Sequence, residues 1–271
     1  MDFARAAGGT MTTPCMSRIL ALAGAFVEGI KVNEMTQSER NGRTVWIKRR
    51  RWTAEPVLAC ANRFFRLAGA PLQAIHHVAA WQRWEIECFH RLHAPEYRAF
   101  QDGPRAIGAD AVPGVNLTGA LDNGTITPGM TAAAGRELRR AHTCECPELG
   151  GAYSHGDPHL GNFVYETATE RARLIDFEVI HHAALPATER HADDLLVFLQ
   201  DMVGRIRDHQ WLPCARAFLD GYARPEIAAL LPPRLVIPRG IARLWWAVRT
   251  TFLPRAELQR RLSALVDLRL R

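Results

Sequence analysis

The chain has 271 residues, 48% of them hydrophobic and 23% charged, proportions that exclude a disordered, collagen-like or low-complexity polymer and place it among soluble globular proteins. Its net charge of +6 and pI near 9.3 favour anionic partners: nucleotide, phosphorylated sugar, acidic membrane or nucleic acid. No apolar run reaches the ~20 residues of a membrane span, because Pro238, Arg239, Arg243 and Arg249 interrupt the most apolar C-terminal stretch.

No basic start, apolar stretch and small-residue cleavage site occur in the order of a secretory signal. The six scattered cysteines then fit a reducing cytoplasm better than an oxidising compartment. Residues 1–18 are small and mixed and are expected to be disordered, with Met1 and Met11 both usable as starts. Ile19 to Val27 is a short apolar segment that reads as a helix or as an opening strand.

Lys31 to Met35 and Thr44 to Lys48 flank a polar segment ending in Asn41-Gly42, a strong turn pair, so a two-stranded ribbon is expected. Val45-Trp46-Ile47-Lys48 closes it. The chain has only two lysines, Lys31 and Lys48, among 34 basic residues, so arginine is preferred except where a compact ammonium matters. Residues 57–68 are apolar enough for a helix. Trp81 to Leu92 reads as another, with Trp81, Glu85, Cys88 and Leu92 on one stripe. An acid on an inward stripe needs a cation, which makes Glu85 a candidate partner of Lys48; a helix-surface acid is the alternative. Glu87 shares a side with Arg83 and Arg91, where pairing in solvent explains it.

Arg105 to Val112 reads as a strand broken by the Pro113-Gly114 turn, and Ala132 to His142 as a helix. His142 with Cys144-Glu145-Cys146 is half a zinc set, but no second pair completes four ligands and an ordinary loop is expected. Phe163 to Tyr165 and Leu174 to Ile175 flank the polar segment Glu166 to Arg171, a β-hairpin with a longer loop. Antiparallel pairing brings Asn162, at the start of the outgoing strand, and Asp176, at the end of the returning one, to the same end of the ribbon. There they meet the loop carrying Asp157. Two carboxylates and an amide oxygen are hard ligands of the kind that hold Mg²⁺ beside phosphates.

His191-Ala192-Asp193-Asp194 opens a helix with the stripe Leu195, Phe198, Leu199, Met202 and Val203; either acid suits the first turn as a cap or against the helix dipole. Arg239 to Arg271 is arginine-rich with Trp245, Trp246, Phe252, Leu258, Leu262, Leu265 and Leu268, a stripe that rests on anionic lipid or faces the core.

His155-Gly156-Asp157, Asn162 five residues after the Asp, and Asp176-Phe177-Glu178 resemble the catalytic and metal motifs of protein-kinase-like small-molecule phosphotransferases. These include the aminoglycoside and choline kinases and the kinases of lipopolysaccharide core sugars. The resemblance covers roughly residues 30–200 and implies an α+β, two-lobed fold: a small β-rich N-lobe at 19–112 and a larger, mainly helical C-lobe at 113–271. It implies ATP and Mg²⁺ as cofactors. Asp157 would orient or deprotonate a substrate hydroxyl, His155 would belong to the catalytic loop chiefly as scaffold, and Asn162 and Asp176 would hold the metal. Lys48 locked by Glu85 would bind phosphates, Ala109 to Val112 would offer backbone groups to adenine, and Asp194 would brace the catalytic loop. Glu178 would touch a second metal or be structural. One departure is plain: no Gly-x-Gly-x-x-Gly precedes Lys48, Gly24, Gly29 and Gly42 being the local glycines.

The expected activity is transfer of the γ-phosphoryl group of ATP to a hydroxyl of a small molecule or glycolipid sugar. From Glu189 onward the chain has 14 Arg against 9 Asp plus Glu, which favours an anionic or membrane-surface acceptor over a polycation. The expected location is cytoplasmic, or peripheral at the inner membrane surface. Alternatives are a pseudokinase binding nucleotide or a partner, and a protein Ser/Thr kinase; the short loop after Glu178 argues against a peptide platform. No aromatic-interleaved basic motif supports a nucleic-acid reader.

Overall fold

A computed structural model describes residues 32–206, 210–243, 246 and 253–268. The readings of residues 1–18 and of Ile19 to Val27, and the positions Gly24, Gly29, Lys31, Trp245 and Phe252, lie outside them. The architecture is the expected α+β one, with a small sheet-bearing N-terminal region followed by a mainly helical region.

The first region runs β1 (Asn33–Arg40), β2 (Arg43–Arg50), α1 (Ala54–Leu67), β3 (Leu72–Ala74), α2 (Val78–His93), β4 (Ala99–Gln101) and β5 (Ala106–Asp110). Its antiparallel sheet has the order β1-β2-β5-β4. Asn41 and Gly42 adopt φ values of 52° and 74°, the paired positive angles of a two-residue hairpin turn. β1 extends to Arg40, beyond the expected Met35, because an open edge strand needs no apolar alternation to mark it. Val45, Ile47 and Ala106 cluster with Phe100 on one face of the sheet. On the other face Ile107 packs with Val78 and Trp81 of α2. The Gln82 amide fixes α2 to the sheet by donating to Gly103 O and Ala106 O, at 2.9 and 2.8 Å.

The second region comprises β6 (Val115–Asn116), α3 (Leu117–Asp122), α4 (Pro128–Ala141), β7 (Glu145–Cys146), β8 (Gly151–Ala152), β9 (Phe163–Glu166), β10 (Arg171–Leu174) and β11 (Val179–His181). It ends with α5 (Ala187–Arg205), α6 (Trp211–Tyr222), α7 (Pro225–Ala228) and α8 (Arg255–Asp267). Gly114 joins the regions at φ 137°, and a Cβ there would stand 2.2 Å from Tyr165 O. No other residue fits that approach. The main core gathers α4, α5 and α6 and takes in Trp84, Cys88, Phe89 and Leu92 from α2. α4 and α6 touch backbone to backbone, since a Cβ on Gly135 would lie 2.1 Å from Phe218 O.

β9 and β10 form the expected hairpin, with Leu174 paired to Phe163 and Arg171 to Glu166. The short pair β3–β11 and strand β4 carry too few residues to mark themselves in sequence. α5 begins at Ala187 rather than His191, after Pro186, so Asp193 and Asp194 fall beyond its first turn and neither is a cap. In the C-terminal stripe Trp246, Leu258, Leu262 and Leu265 are buried, and Arg261 is buried with them, donating to Val203 O at 2.9 Å. These described residues face the core rather than a lipid surface. His142, Cys144 and Cys146 form no metal cluster: His142 bonds Asp194 and Tyr222, while Cys146 Sγ accepts from Arg91 at 3.4 Å.

Candidate active site

Strand alternation decides which side chains of β2 look inward. Lys48 does so, and its ammonium lies 3.0 Å from Glu85 Oε1 on α2. The other Glu85 oxygen accepts from Trp81 Nε1, one turn earlier, at 3.0 Å. Glu85 Oε1 also accepts the Phe177 N–H at 3.3 Å. The sequence-level pairing of Lys48 with Glu85 is therefore present in the fold, tied to the segment that follows the hairpin.

That segment supplies two more carboxylates. Lys48 Nζ is 2.6 Å from Asp176 Oδ1 and 2.6 Å from Glu178 Oε1. Glu178 in turn accepts from Asn33 Nδ2 and lies 3.9 Å from Arg50, so it ties the hairpin exit to β1 and β2. Among the described residues, Glu85, Asp176 and Glu178 are the grouping whose ligand atoms could hold an ion. The Lys48 ammonium already serves as their cation.

Burial alone would lower the Lys48 pKa, but the charges of Asp176, Glu178 and Glu85 outweigh it and hold the ammonium well above the usual lysine range. For Asp176 burial works upward, but the charge and hydrogen bond of Lys48, together with His159 and His155, bring its carboxyl below the usual range. Burial pushes the Glu85 carboxyl up to about 7 against the pull of Lys48, with Asp176 and Glu178 adding like-charge repulsion. Asp176 adopts φ 68°, a left-handed conformation that costs a non-glycine residue energy, Asp less than most.

The loop carrying Asp157 is fixed from beneath by α5. Asp194 is fully buried and accepts the backbone N–H groups of His155 and Gly156 at 2.8 and 2.7 Å, and His142 Nε2 at 2.9 Å. Burial opposes ionisation of Asp194, but His181 and His142, with the hydrogen bond from His142, hold its carboxyl far below the usual range. Seven residues on, on the same helix face, Asp201 accepts the Leu160 N–H at 3.0 Å. Asp201 escaped the motif reading, although two turns of spacing from Asp194 were its signal.

His155 is buried, accepts the Asp157 N–H at Nδ1 (3.2 Å) and meets Ile175 O with Nε2 (3.1 Å). Because Nδ1 accepts, Nε2 carries the hydrogen. Burial lowers the His155 pKa, and through these two contacts the ring braces the loop against the hairpin. Asn162 donates Nδ2–H to Asp157 O at 2.8 Å, and its backbone O accepts the Ile175 N–H at 2.9 Å, which sets Asp157, Asn162 and Asp176 at one end of the ribbon. The Asp157 side chain is 34% exposed, with His159 Nε2 4.0 Å from its Oδ2. His159 Nδ1 accepts the Gly161 N–H at 3.0 Å, leaving Nε2 to face Asp157. Motif reasoning also passed over His159.

Of the two expected adenine-contacting positions, Ala109 is mid-strand between β2 and β4, so its backbone groups serve the ladder and not a ligand. Val112 lies just past the strand. Directly paired residues share a face, and the register pairs Met35 with Lys48 and Ala109 with Trp46. Trp46, two residues from Lys48, is on that same face. Met35 is 53% and Trp46 42% exposed, an apolar surface beside the ammonium that alternation in β2 foreshadowed.

No family model matches the chain, and no curated protein matches it. Among solved structures it is similar to WaaP in complex with acyl carrier protein, at 16% identity over 92% of this chain and 96% of that one, with a TM-score of 0.38. It is similar to Rv3197 from Mycobacterium tuberculosis, solved with erythromycin, at 17% identity over 89% and 70% of the two chains, TM-score 0.38. A third is WbdD, at 12% identity over 81% of this chain and 50% of that one, TM-score 0.32. Likeness at this level bears on no residue and no ligand.

Proposed function

We propose that the chain is an ATP-dependent phosphotransferase, with a nucleotide-binding lobe at 19–112 and a catalytic lobe at 113–271. The observation that carries this reading is the convergence of Lys48, Glu85 and Asp176 from β2, α2 and the hairpin exit. An ammonium locked by a buried acid is the arrangement that positions nucleotide phosphates.

On this reading the nucleobase lies against Met35 and Trp46, with Val112 offering backbone groups at the strand end, and Lys48 meets the phosphates. Asp157, on a loop held rigid by Asp194 and Asp201, accepts a hydrogen bond from the acceptor hydroxyl and orients it. Asn162 and Asp176 present oxygen donors that suit Mg²⁺, which when bound neutralises phosphate charge. Glu178, engaged by Lys48 and Asn33, is a structural partner of the lysine. The acceptor class that fits best is an anionic glycolipid or phosphorylated sugar, supported by the arginine excess of the C-terminal region. The cytoplasmic face of a membrane is the matching location. Among the described residues no helix is long and apolar enough to cross a membrane.

One observation favours a second reading. Lys48 is neutralised by three carboxylates, one of them the metal candidate Asp176, as a nucleotide-binding pseudokinase would tolerate. Incubation with Mg²⁺ and γ-labelled ATP, with and without a glycolipid extract, separates the two. Label transferred to the acceptor supports the phosphotransferase, whereas nucleotide binding without any turnover supports the pseudokinase.

A further inference from the structure

Residues 49–68 carry Arg49, Arg50, Arg51, Arg63 and Arg66 against a single acid, Glu55. Glu55 is turned inward, its Oε1 accepting the Val78 N–H at 3.4 Å. Arg50 is buried over the Trp81 ring, 4.2 Å from its centroid. The other four arginines are exposed. Among the described residues only Arg51 of these four is ion-paired, to Glu34 at 3.1 Å.

The same stretch exposes apolar surface. Trp52, two residues before α1, is 82% exposed, and Leu67 is 72% exposed. The Arg105 guanidinium sits 4.3 Å from the Trp52 ring centroid. Along α1, Val57, Cys60, Phe64 and Leu67 fall on one stripe, and every one of them is half-buried or exposed. The opposite side of the helix is the one held to β3, where the Asn62 amide bonds both Ala74 N (2.7 Å) and Ala74 O (2.9 Å). Arg63 and Arg66 border the open stripe.

Tryptophan and arginine also recur in protein–protein contacts, so the choice of partner rests on charge: exposed arginines around a narrow apolar stripe call for a surface dense in negative charge. Here the apolar stripe is narrow, flanked by exposed Arg63 and Arg66, which form no ion pair among the described residues, and led by a solitary tryptophan. That composition suits the boundary of an anionic bilayer: tryptophan sits at headgroup level, arginine stems lie along apolar surface with their heads in the phosphate layer, and the apolar stripe enters the acyl boundary.

The geometry points to α1 and the Trp52 turn as a docking surface for an anionic lipid bilayer. Trp52, Phe64 and Leu67 enter the interface, and Arg49, Arg63 and Arg66 meet lipid phosphates. The surface is joined to the candidate site through β3, which pairs with β11, and through Ile75, whose N–H donates to Glu178 O at 3.1 Å. The inference goes beyond phosphotransfer and does not depend on it.

The test is co-sedimentation without nucleotide, using vesicles of phosphatidylcholine alone and of phosphatidylcholine mixed with phosphatidylglycerol. The wild type is expected on the mixed vesicles and absent from the neutral ones. Arg63→Gln with Arg66→Gln removes two charges and is expected to weaken binding roughly 30-fold. Trp52→Ala with Leu67→Ser is expected to weaken it at least about tenfold. Circular dichroism melts matching the wild type show that these surface variants fold. Failure of the wild type to bind, equal binding to both vesicle types, or variants that fold and bind as the wild type does would each overturn the proposal. So would a wild-type dimer, in sedimentation equilibrium without lipid, that Leu67→Ser disperses, because a second copy would then be the occupant.

Discussion

Lys48 Nζ lies 2.6 Å from Asp176 Oδ1, joining two positions 128 residues apart. The same ammonium holds Glu85 and Glu178, so its removal leaves three carboxylates facing one another. Breaking a buried ion pair by deleting one partner costs about 3–5 kcal/mol, and Lys48→Met is expected to lose that much at pH 7 in urea unfolding. The deficit should shrink at pH 5, below the Glu85 value of about 7, as protonation relieves the repulsion. A Lys48→Met protein as stable as the wild type at pH 7 would show that the cluster carries no such strain.

Asp194 takes two loop N–H groups and one imidazole. Asp194→Ala leaves all three buried and unmatched, at about 1–3 kcal/mol per orphaned group, so a loss of about 3 kcal/mol or more is expected from urea midpoints. Asp201→Ala, which frees one loop N–H, should cost less. The reverse order would place the anchor of the loop elsewhere.

Acid sensitivity has a defined source in His93. Burial holds its imidazole down to about 4, against an ordinary value of 6.5, with Nε2 on Leu174 O at 2.6 Å. A depressed folded pKa gives stability that is present above pH 6.5 and lost as pH falls toward 4, about 3 kcal/mol for this shift. Glu85 acts with the opposite sign, its raised pKa favouring the fold below pH 4.5 and losing that contribution as pH climbs through about 7. The His93→Gln difference isolates the histidine. Between pH 7 and pH 4.5 the wild type should lose more stability than His93→Gln, and parallel losses would refute the assignment.

Trp46 shares a sheet face with Lys48 and is 42% exposed. Aromatic stacking on a base is worth about 1–3 kcal/mol, so Trp46→Ala should weaken ADP binding about tenfold or more. Unchanged affinity in a calorimetric titration would move the base away from this face.

Much of the candidate site's geometry was legible because its residues lie at short spacings. His155, Asp157, Asn162 and Asp176 flank one hairpin, and Asn41-Gly42 marks another. The long-range pairing of Lys48 with Glu85 was legible for a different reason: an acid on an inward helical stripe needs a cation, and lysine is scarce in this chain. What stayed hidden depends on contacts rather than pattern. β1 is an edge strand with no apolar alternation, β3, β4 and β11 span only a few residues each, and α5 starts eight residues before Leu195, where its apolar stripe begins. Asp194 was read correctly as a brace but wrongly as a first-turn residue, because the brace requires its position on a helix face and not at a helix end. The convergence of Glu178 on Lys48 is set by tertiary placement alone.

The most direct measurement is Mg²⁺-dependent ATP turnover in the wild type, Asp157→Asn and Asp176→Asn under one set of conditions. A wild type that turns over ATP, with both variants at least about 100-fold slower, is the predicted result. Equal turnover in all three proteins would contradict the account.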